Sequence, residues 1–301
     1  MTRIALAVDL GGTKVEAALV DGDGAVVTAS RNRQPTGPEL TPDRLRSAVA
    51  DVVSRALAHL PEGAEFVGAG IGSAGPIDLV EGTIRPVNLR GVHGFGLVEA
   101  VRDAVIASTG QFDPTVRLRH DGGCLALAES WIGAAAGARA SLSFVVSTGV
   151  GGGIVIDGRA IGGASGNAGH LGQMHVGELT VEEISSGPSS VRWAQLQGWH
   201  GETGEDLARA SARGDRIARA AIERSAKTLG QALADASSLL DLEVIAVSGG
   251  FSAVSDDYVD LVAGSLREWA VLPYAQRTRV VRSALGGDGP IIGAAALVLR
   301  G

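Results

Sequence analysis

The chain begins with short apolar blocks separated by turns. Ile4–Val8 is apolar and ends at Asp9. The turn Gly11–Lys14 follows, and the chain is apolar again through Val20. A second turn signal, Asp21–Gly24, comes next. Short strands joined by glycine turns predict a three-stranded antiparallel meander.

The same order of elements recurs roughly 140 residues later. Ser147–Gly153 is a second glycine-rich turn, Ile154–Ile156 is apolar, and Asp157-Gly158 supplies the next turn. The recurrence predicts two related halves, each of which offers a glycine turn to a ligand.

The first glycine turn carries residue types that bind phosphate. Glycines let backbone N–H groups converge with no Cβ in the way, while Thr13 adds a hydroxyl, Lys14 a cation and Asp9 a carboxylate. This set suits a polyphosphate whose metal ion is held by the acid. An ordinary Gly-Gly hairpin is the alternative for one turn alone, but two facing turns favour a triphosphate clamped from both sides.

Helices and strands alternate along the rest of the chain. Residues 82–96 have no clean period and are predicted to form a surface excursion. A strand over 244–247 leads into Gly249-Gly250, where a flat ring such as adenine could lie against the backbone. Periodic apolar positions predict helices over Pro42–Leu60, Leu97–Ser108, Cys124–Ala136, Arg216–Ala236, Ala253–Ala270 and Ile291–Leu299.

Gly70, Gly72 and Gly75 have the GxGxxG spacing of dinucleotide-binding proteins. Pro76 follows where a helix should begin, and the preceding elements form a meander rather than a βαβ unit. NAD binding would support a dehydrogenase, but the sequence does not favour one. A close backbone approach to some ligand at this loop stays open.

Composition narrows the class of protein. The chain has 301 residues, of which 45% are hydrophobic, enough for a large core in two domains. The net charge of −7 argues against nucleic acid as a partner. The single cysteine, Cys124, excludes a disulfide framework, fits a reducing cytoplasm and is expected in the core rather than as a nucleophile. We expect neither a leader peptide nor a membrane span.

Together, several of these segments resemble the ROK family of repressors, open reading frames and sugar kinases, and the resemblance covers essentially the whole chain. The matching segments are DLGGTK at 9–14, GPID at 75–78, Asn88-Leu89, His120-Asp121, STGVGGG at 147–153, GNAGH at 166–170, VEEISSG at 181–187, SGG at 248–250 and SALGGDGPIIGAA near the C-terminus.

The resemblance implies an α/β protein with the two-domain actin-like ATPase fold, of RNase H type, with mixed five-stranded sheets and an interdomain cleft for ATP and sugar. The implied domains are 1–120 plus 284–301, and 121–283. Family repressors carry an additional N-terminal helix-turn-helix region, for which the first glycine turn leaves no room here. The resemblance is therefore to the kinase branch.

The chain departs from the family around the sugar. Most members hold a structural zinc with one histidine, matched by His170, and three cysteines, but the corresponding segment, Val176–Thr180, is short and has no cysteine. We predict no zinc. Asn167 replaces a glutamate that usually faces the sugar, His120 replaces an asparagine, and Arg90 stands where proline is common. These changes suggest a substrate other than plain glucose, although the sequence does not say whether all three set the preference.

The resemblance also assigns roles to residues. Asp121 is the expected base that accepts the proton of a sugar hydroxyl, and Asp9 is expected to act on Mg²⁺ through water. The expected sugar-binding residues are Gly75, Asn88, His120, Asp121, Asn167, His170 and Glu182. The expected nucleotide-binding residues are Asp9, Gly11, Gly12, Thr13, Lys14, Thr148, Gly149, Gly151, Gly249 and Gly250.

The residue types alone leave other roles open. Asp121 could cap the helix predicted after it, and Lys14 could be a surface lysine on a strand. His170 could serve a structural turn, Glu182 could be an acid at a helix start, and Asn167 could be a turn former.

The function expected from the resemblance is ATP-dependent phosphorylation of the primary (6-) hydroxyl of a glucose-like hexose. Kanosamine, an amino sugar, is one candidate because kanosamine kinases resemble this chain in length and in lacking the zinc cysteines. Glucose, N-acylhexosamines and cyclitols are alternatives. A non-catalytic sugar sensor is another class, against which the retention of Asp9, Asp121 and both glycine turns argues. We expect a cytoplasmic homodimer without nucleic acid or membrane partners.

Overall fold

The computed structural model describes residues 1–300 and divides into two compact units. The first comprises Met1–Ile132, Arg159–Ala168 and the segment that begins at Gly287. The second comprises Gly133–Gly158 and Gly169–Gly286. Residues 1–300 contain no helix with the length and apolar character that crossing a membrane requires.

The first unit is a mixed sheet with helices. Its helices are α1 (Pro42–Leu57), α2 (Leu97–Thr109), α3 (Asp121–Ile132) and the C-terminal helix (Gly289–Leu299). Its strands are β1 (Arg3–Leu10), β2 (Lys14–Asp21), β3 (Val26–Pro35), β4 (Glu65–Ser73), β5 (Ile77–Asp78), β6 (Thr83–Ile84), β7 (Phe95–Gly96) and β8 (Val116–His120).

The five-stranded sheet has the order β3-β2-β1-β4-β8. β1, β2 and β3 are antiparallel neighbours, whereas β4 runs parallel to β1 and to β8. The predicted meander is confirmed. Ile4, Leu6, Val8 and Leu10 alternate along β1 and pack in one core with α1 and α2, and the C-terminal helix also packs on β1 and β4.

Two glycines let the C-terminal helix approach its neighbours closely. A Cβ atom at Gly70 of β4 would lie 1.7 Å from the carbonyl oxygen of Ala294. A Cβ atom at Gly293 would lie 1.7 Å from the carbonyl oxygen of Cys124 in α3. The first glycine of the GxGxxG spacing therefore serves helix packing. The close contact between Gly293 and Cys124 packs α3 against the C-terminal helix, and α3, which was expected in the second domain, therefore lies with the first unit.

We expect Gly70→Ala to lower the free energy of unfolding by about 3 kcal/mol, because the added methyl group meets backbone that cannot move aside. Chemical denaturation measures this effect. Gly37→Ala is the control, since no heavy atom lies within 4 Å of the position of its Cβ. Equal stability of the two variants would show that the C-terminal helix can shift.

The segment predicted as a surface excursion is partly a structured element, so that prediction was wrong. β5, β6 and β7 form a small antiparallel sheet. Ile84, Leu89 and Val92 are fully buried in the first unit's core. The apolar residues of this segment are too widely spaced in sequence to show a strand or helix period. Strands of two residues are too short to produce such a period.

The second unit repeats the strand pattern of the first. Its strands β10, β9, β14 and β15 lie side by side in that order, with β9 and β10 antiparallel and β14 parallel to β9 and β15. The predicted relation between the halves is thus present in the sheets. The strands are β9 (Ala140–Val146), β10 (Val150–Ile156), β12 (His175–Val176), β13 (Leu179–Thr180), β14 (Val244–Ser248) and β15 (Arg279–Arg282), and β11 (Arg159–Ile161) belongs to the first unit.

Helices supply most of the second unit's core. Alanine- and leucine-rich faces of the longest helix pack against its neighbours and the sheet. The helices of this unit are α4 (Val181–Ser185), α5 (Gly187–Leu196), α6 (Gly204–Ala212), α7 (Arg216–Leu240), α8 (Tyr258–Trp269) and α9 (Pro273–Gln276). The C-terminal helix of the first unit is α10.

Candidate active site

The first glycine turn connects β1 and β2. The Gly11 N–H donates to the carbonyl oxygen of Lys14 at 2.9 Å. Thr36 donates its N–H to the Thr13 carbonyl and its hydroxyl to the Gly11 carbonyl, both at 2.9 Å. These bonds occupy carbonyl groups and leave the N–H groups of Gly12 and Thr13 without a partner among residues 1–300. The turn is fixed, and its donors are available to an anion.

Behind the turn lies a buried carboxylate surrounded by cations. Glu16 accepts hydrogen bonds from Lys14, from Arg31 and, at 2.9 Å, from Arg33 Nε. Arg31 also reaches Asp288 at 2.5 Å. Burial raises the pKa of Glu16, but the three cations outweigh it and the net shift is downward. Lys14 is therefore held in place rather than free on the surface.

Two carboxylates lie near this cluster. Asp9, on β1, pairs in register with Glu16. Burial and the negative charge of Asp121 raise the pKa of Asp9 to about 7, and Lys14 and Arg31 offset part of the rise. Asp121 itself is exposed at the first position of α3, and its Oδ1 accepts the Gly122 N–H at 2.7 Å. The predicted base is thus accessible and close enough to Asp9 for their charges to interact.

Asn88 and the loop of Gly75 lie beside the turn. The Cβ of Asn88 is 3.6 Å from the position of a Cβ on Gly12, and the side chain is exposed. The Ala74 N–H donates to the Leu10 carbonyl at 2.9 Å, which ties the loop to the end of β1. The first unit therefore brings both predicted sugar-binding positions next to the predicted phosphate turn.

The departures from the family pattern occupy different environments. His120 is buried, with both ring nitrogens bonded to the chain, and the half-buried Asn167 pairs with Ile77. Arg90 is exposed in a 3₁₀ turn, Arg90–Val92. Sequence reasoning could not show these partners, and the sugar contacts expected of His120 and Asn167 stay predictions.

The second glycine turn joins β9 and β10. The Ser147 N–H donates to the Gly149 carbonyl at 2.9 Å, and Thr148 is exposed at the tip. The Val150 N–H donates to Oε2 of Glu182 at 2.8 Å. A Cβ at Gly149 would lie 2.6 Å from the same oxygen. Glu182, predicted to bind sugar, therefore also braces this turn.

A cavity of 330 Å³ lies within the second unit, next to the turn. Gly250 lines the cavity, and the preceding Gly249 has a φ of +95°, where a Cβ would be 2.3 Å from the Val146 carbonyl oxygen. Sequence reasoning did not predict most of the other residues that line the cavity. The sequence features that mark them are Ser-Gly-Pro at 186–188 and Gly-Gly-Phe at 249–251, each at the start of a helix. The lining residues include Ser147, Thr148, Gly187, Pro188, Val191, Glu202, Gly204, Glu205, Phe251 and Val254.

Gly151 and His170 also belong to the second unit. Gly151 lies on β10 with no heavy atom within 4 Å of the position of its Cβ. His170 is exposed and precedes the 3₁₀ turn Leu171–Gln173. The following hairpin, β12 and β13, replaces the cysteine segment of the family. Residues 1–300 hold no group of three or more metal-ligating side chains, and the absence of zinc stays a prediction.

Comparison with known proteins identifies the family. The model of the ROK family matches residues 5–301. The chain belongs to the ROK family. An N-acetylmannosamine kinase of Escherichia coli O7:K1 is 32% identical over 98% of both chains. The ROK hexokinase of Thermus thermophilus has a TM-score of 0.84 at 30% identity and covers 98% of this chain and 97% of its own.

A third relative shows a ROK kinase with its ligands. The ROK glucokinase of Streptomyces griseus, in complex with glucose and AMPPNP, has a TM-score of 0.76 at 27% identity and covers 99% of this chain and all of its own. This ROK protein is a sugar kinase with the mixed α/β fold of actin-like ATPases, and both predictions are confirmed.

Proposed function

We propose that this ROK kinase transfers the γ-phosphoryl group of ATP to the primary (6-) hydroxyl of a glucose-like hexose. The observation that carries the proposal is the accessible carboxylate of Asp121, which interacts with Asp9 beside a fixed glycine turn. The relatives named for hexose and N-acetylmannosamine phosphorylation support the sugar class.

In the proposed reaction, Asp121 accepts the proton of the sugar hydroxyl as that oxygen bonds to the γ-phosphorus. The bond between the γ-phosphorus and the bridging oxygen breaks, and ADP leaves. Phosphoryl transfer requires mainly positioning and neutralisation of charge. Gly12 and Thr13 supply backbone donors, and Lys14 supplies a cation that Glu16 holds in place.

Asp9 fits a role toward Mg²⁺. Hard carboxylate oxygens suit this ion, which keeps several waters and takes further ligands from phosphates. The described residues offer two acids here rather than a cage of three or more ligands. When bound, Mg²⁺ would neutralise phosphate charge, and Asp9 would hold it through water.

We place the adenine in the cavity of the second unit, against Gly250 and Phe251. Phe251 packs edge-on against the buried Tyr258 with ring centroids 5.9 Å apart, so this wall is rigid. The exposed glycine turn beside the cavity suits the phosphates. Thr148, Gly149, Gly151 and Gly249 complete the proposed nucleotide site.

Asn88, His170 and Glu182 are the proposed ligands of the sugar hydroxyls. Kanosamine, glucose and N-acetylmannosamine are candidate substrates, and the missing zinc cysteines favour the first. A coupled assay of ATP consumption over hexoses and amino hexoses tests the proposal. Sugar binding without turnover of any hexose would instead support a sugar sensor. The homodimer and the cytoplasmic location are part of the same proposal.

We expect Glu182→Ala to weaken ATP binding in the absence of sugar by roughly two- to tenfold, the effect of one lost hydrogen bond. Val150 loses its partner, and the second turn loosens. Glu182→Gln keeps an acceptor and is the matched control, with near-normal ATP binding. Isothermal titration with a non-hydrolysable ATP analogue measures both, and unchanged binding in the alanine variant would leave Glu182 a sugar contact only.

A further inference from the structure

His120 and Asn167, which both depart from the family pattern, tie the short segment 162–168 to other parts of the chain. His120 bonds to Ala168 from outside the segment, and Asn167 bonds to Ile77 from within it. We propose that they are positioning residues, which clip this segment to the rest of the first unit and orient Asp121, and that neither hydrogen-bonds the sugar. The part that concerns Asp121 rests on the proposed kinase reaction.

His120 makes two hydrogen bonds with one ring. The side chain is 3% exposed. Nδ1 accepts the Gly123 N–H at 3.2 Å, and Nε2 lies 2.8 Å from the carbonyl oxygen of Ala168. The partners require the neutral tautomer, with the proton on Nε2. Since α3 begins at Asp121, the first bond is that of a helix N-cap. His120 thus caps the helix that carries Asp121 and holds Ala168 at the same time.

The side-chain amide of Asn167 makes a pair of hydrogen bonds with the backbone of Ile77, as a neighbouring strand would. Oδ1 accepts the Ile77 N–H at 2.9 Å, and Nδ2 donates to the Ile77 carbonyl at 2.8 Å. The second hydrogen of Nδ2 is directed to Ser165, whose carbonyl and hydroxyl oxygens lie at 3.3 and 3.2 Å. Both donors are engaged within the chain, so the amide has none to offer a sugar hydroxyl.

The clipped segment is closed on itself and packed from beneath. The Ala168 N–H donates to the Gly162 carbonyl at 3.0 Å. A Cβ at Gly162 would lie 2.2 Å from the guanidinium of Arg119, and one at Gly166 2.5 Å from the side chain of Leu79. These close contacts at Gly162 and Gly166 hold the segment against Arg119 and Leu79, and the hydrogen bonds of His120 and Asn167 add to them. In sequence, the segment is followed directly by Gly169 and by the proposed sugar ligand His170.

An asparagine at position 120 separates the two roles of the histidine. Its short side chain keeps an oxygen that can accept the Gly123 N–H, and asparagine is among the preferred N-caps. It has no second ring nitrogen with which to reach Ala168. His120→Asn should therefore retain the cap and lose the bond to Ala168, whereas His120→Ala loses both. Asn167→Ala keeps the cap and the bond to Ala168 and loses the bonds to Ile77 and to Ser165.

Hydrogen exchange of the free enzyme, without nucleotide or sugar, tests the clip independently of the reaction. We expect faster exchange of the Ile77 amide in Asn167→Ala, and of segment 162–168 in all three variants. Ser165→Ala, which leaves both bonds to Ile77, is the control and should exchange like the wild type. Unchanged exchange in Asn167→Ala would overturn the proposal even if the enzyme is an active kinase.

Kinetics over several sugars test the roles in the reaction. We expect each variant that loses the clip to raise the sugar KM by roughly two- to tenfold, equally for every accepted sugar. We expect kcat to fall in His120→Ala and to return toward the wild-type value in His120→Asn. A change in the order of sugar preference in His120→Ala or Asn167→Ala would overturn the proposal, because it would show direct contact with the substrate. Absence of turnover in the wild type would refute the proposed function and leave the exchange result standing.

Discussion

Replacement of Asp121 by asparagine is expected to lower kcat by roughly 10²- to 10⁴-fold, the usual contribution of a positioned general base. Asparagine has nearly the same shape, and its oxygen can still accept the Gly122 N–H that Asp121 accepts at 2.7 Å. The amide cannot take a proton from the sugar hydroxyl. The loss should therefore appear in kcat, with ATP and sugar binding retained.

Steady-state kinetics and calorimetric binding on one preparation separate these effects. Asp215→Asn is the matched control, because Asp215 also lies at a helix start and accepts the N–H groups of Ile217 and Ala218 at 2.9 Å. That variant should retain wild-type kcat. Full activity of Asp121→Asn would show that another group accepts the proton.

Replacement of Glu16 by glutamine is expected to lower the free energy of unfolding by about 2–4 kcal/mol. Its carboxylate is 1% exposed, and it neutralises Lys14, Arg31 and Arg33. Removing one partner of a buried ion pair costs about 3–5 kcal/mol when the remaining charge stays buried. The side chains of the three cations are 22–55% exposed, so water compensates part of that cost.

Chemical denaturation of the wild type and Glu16→Gln measures the difference. Arg33→Gln is the control, since it removes the most exposed cation and should change stability by less than about 1 kcal/mol. Wild-type stability of Glu16→Gln would mean that the cations are hydrated as well without the carboxylate as with it.

Local signals were sufficient for the elements that carry the site. Alternation and glycine turns predicted β1, β2 and the second hairpin, because a strand's faces and a hairpin's turn are set by neighbouring residues. The second turn was predicted too long, since β10 begins at Val150, within Ser147–Gly153. The hydrogen-bond partners of the site residues could not be predicted from the sequence. His120 and Ala168 are 48 residues apart in sequence, and Asn167 and Ile77 are 90 apart. One sequence contains no record of such contacts.

Two helix boundaries show the same limit. α3 was predicted to begin at Cys124, after two glycines that disfavour helix, but it begins at Asp121 because His120 caps it. The helix predicted over Ala253–Ala270 is instead a 3₁₀ turn, a gap and α8. At that gap, Arg219 holds Asp257 with two hydrogen bonds of 3.0 and 2.7 Å from another helix.

The packing of α10 on β4 and α3 has a consequence for how the protein is made. The unit that contains β1 also requires Gly289–Leu299, so this unit cannot be completed until the ribosome has released α10. The second unit has all its residues by Gly286. During synthesis, the second unit therefore has all its residues before the first unit has all of its own.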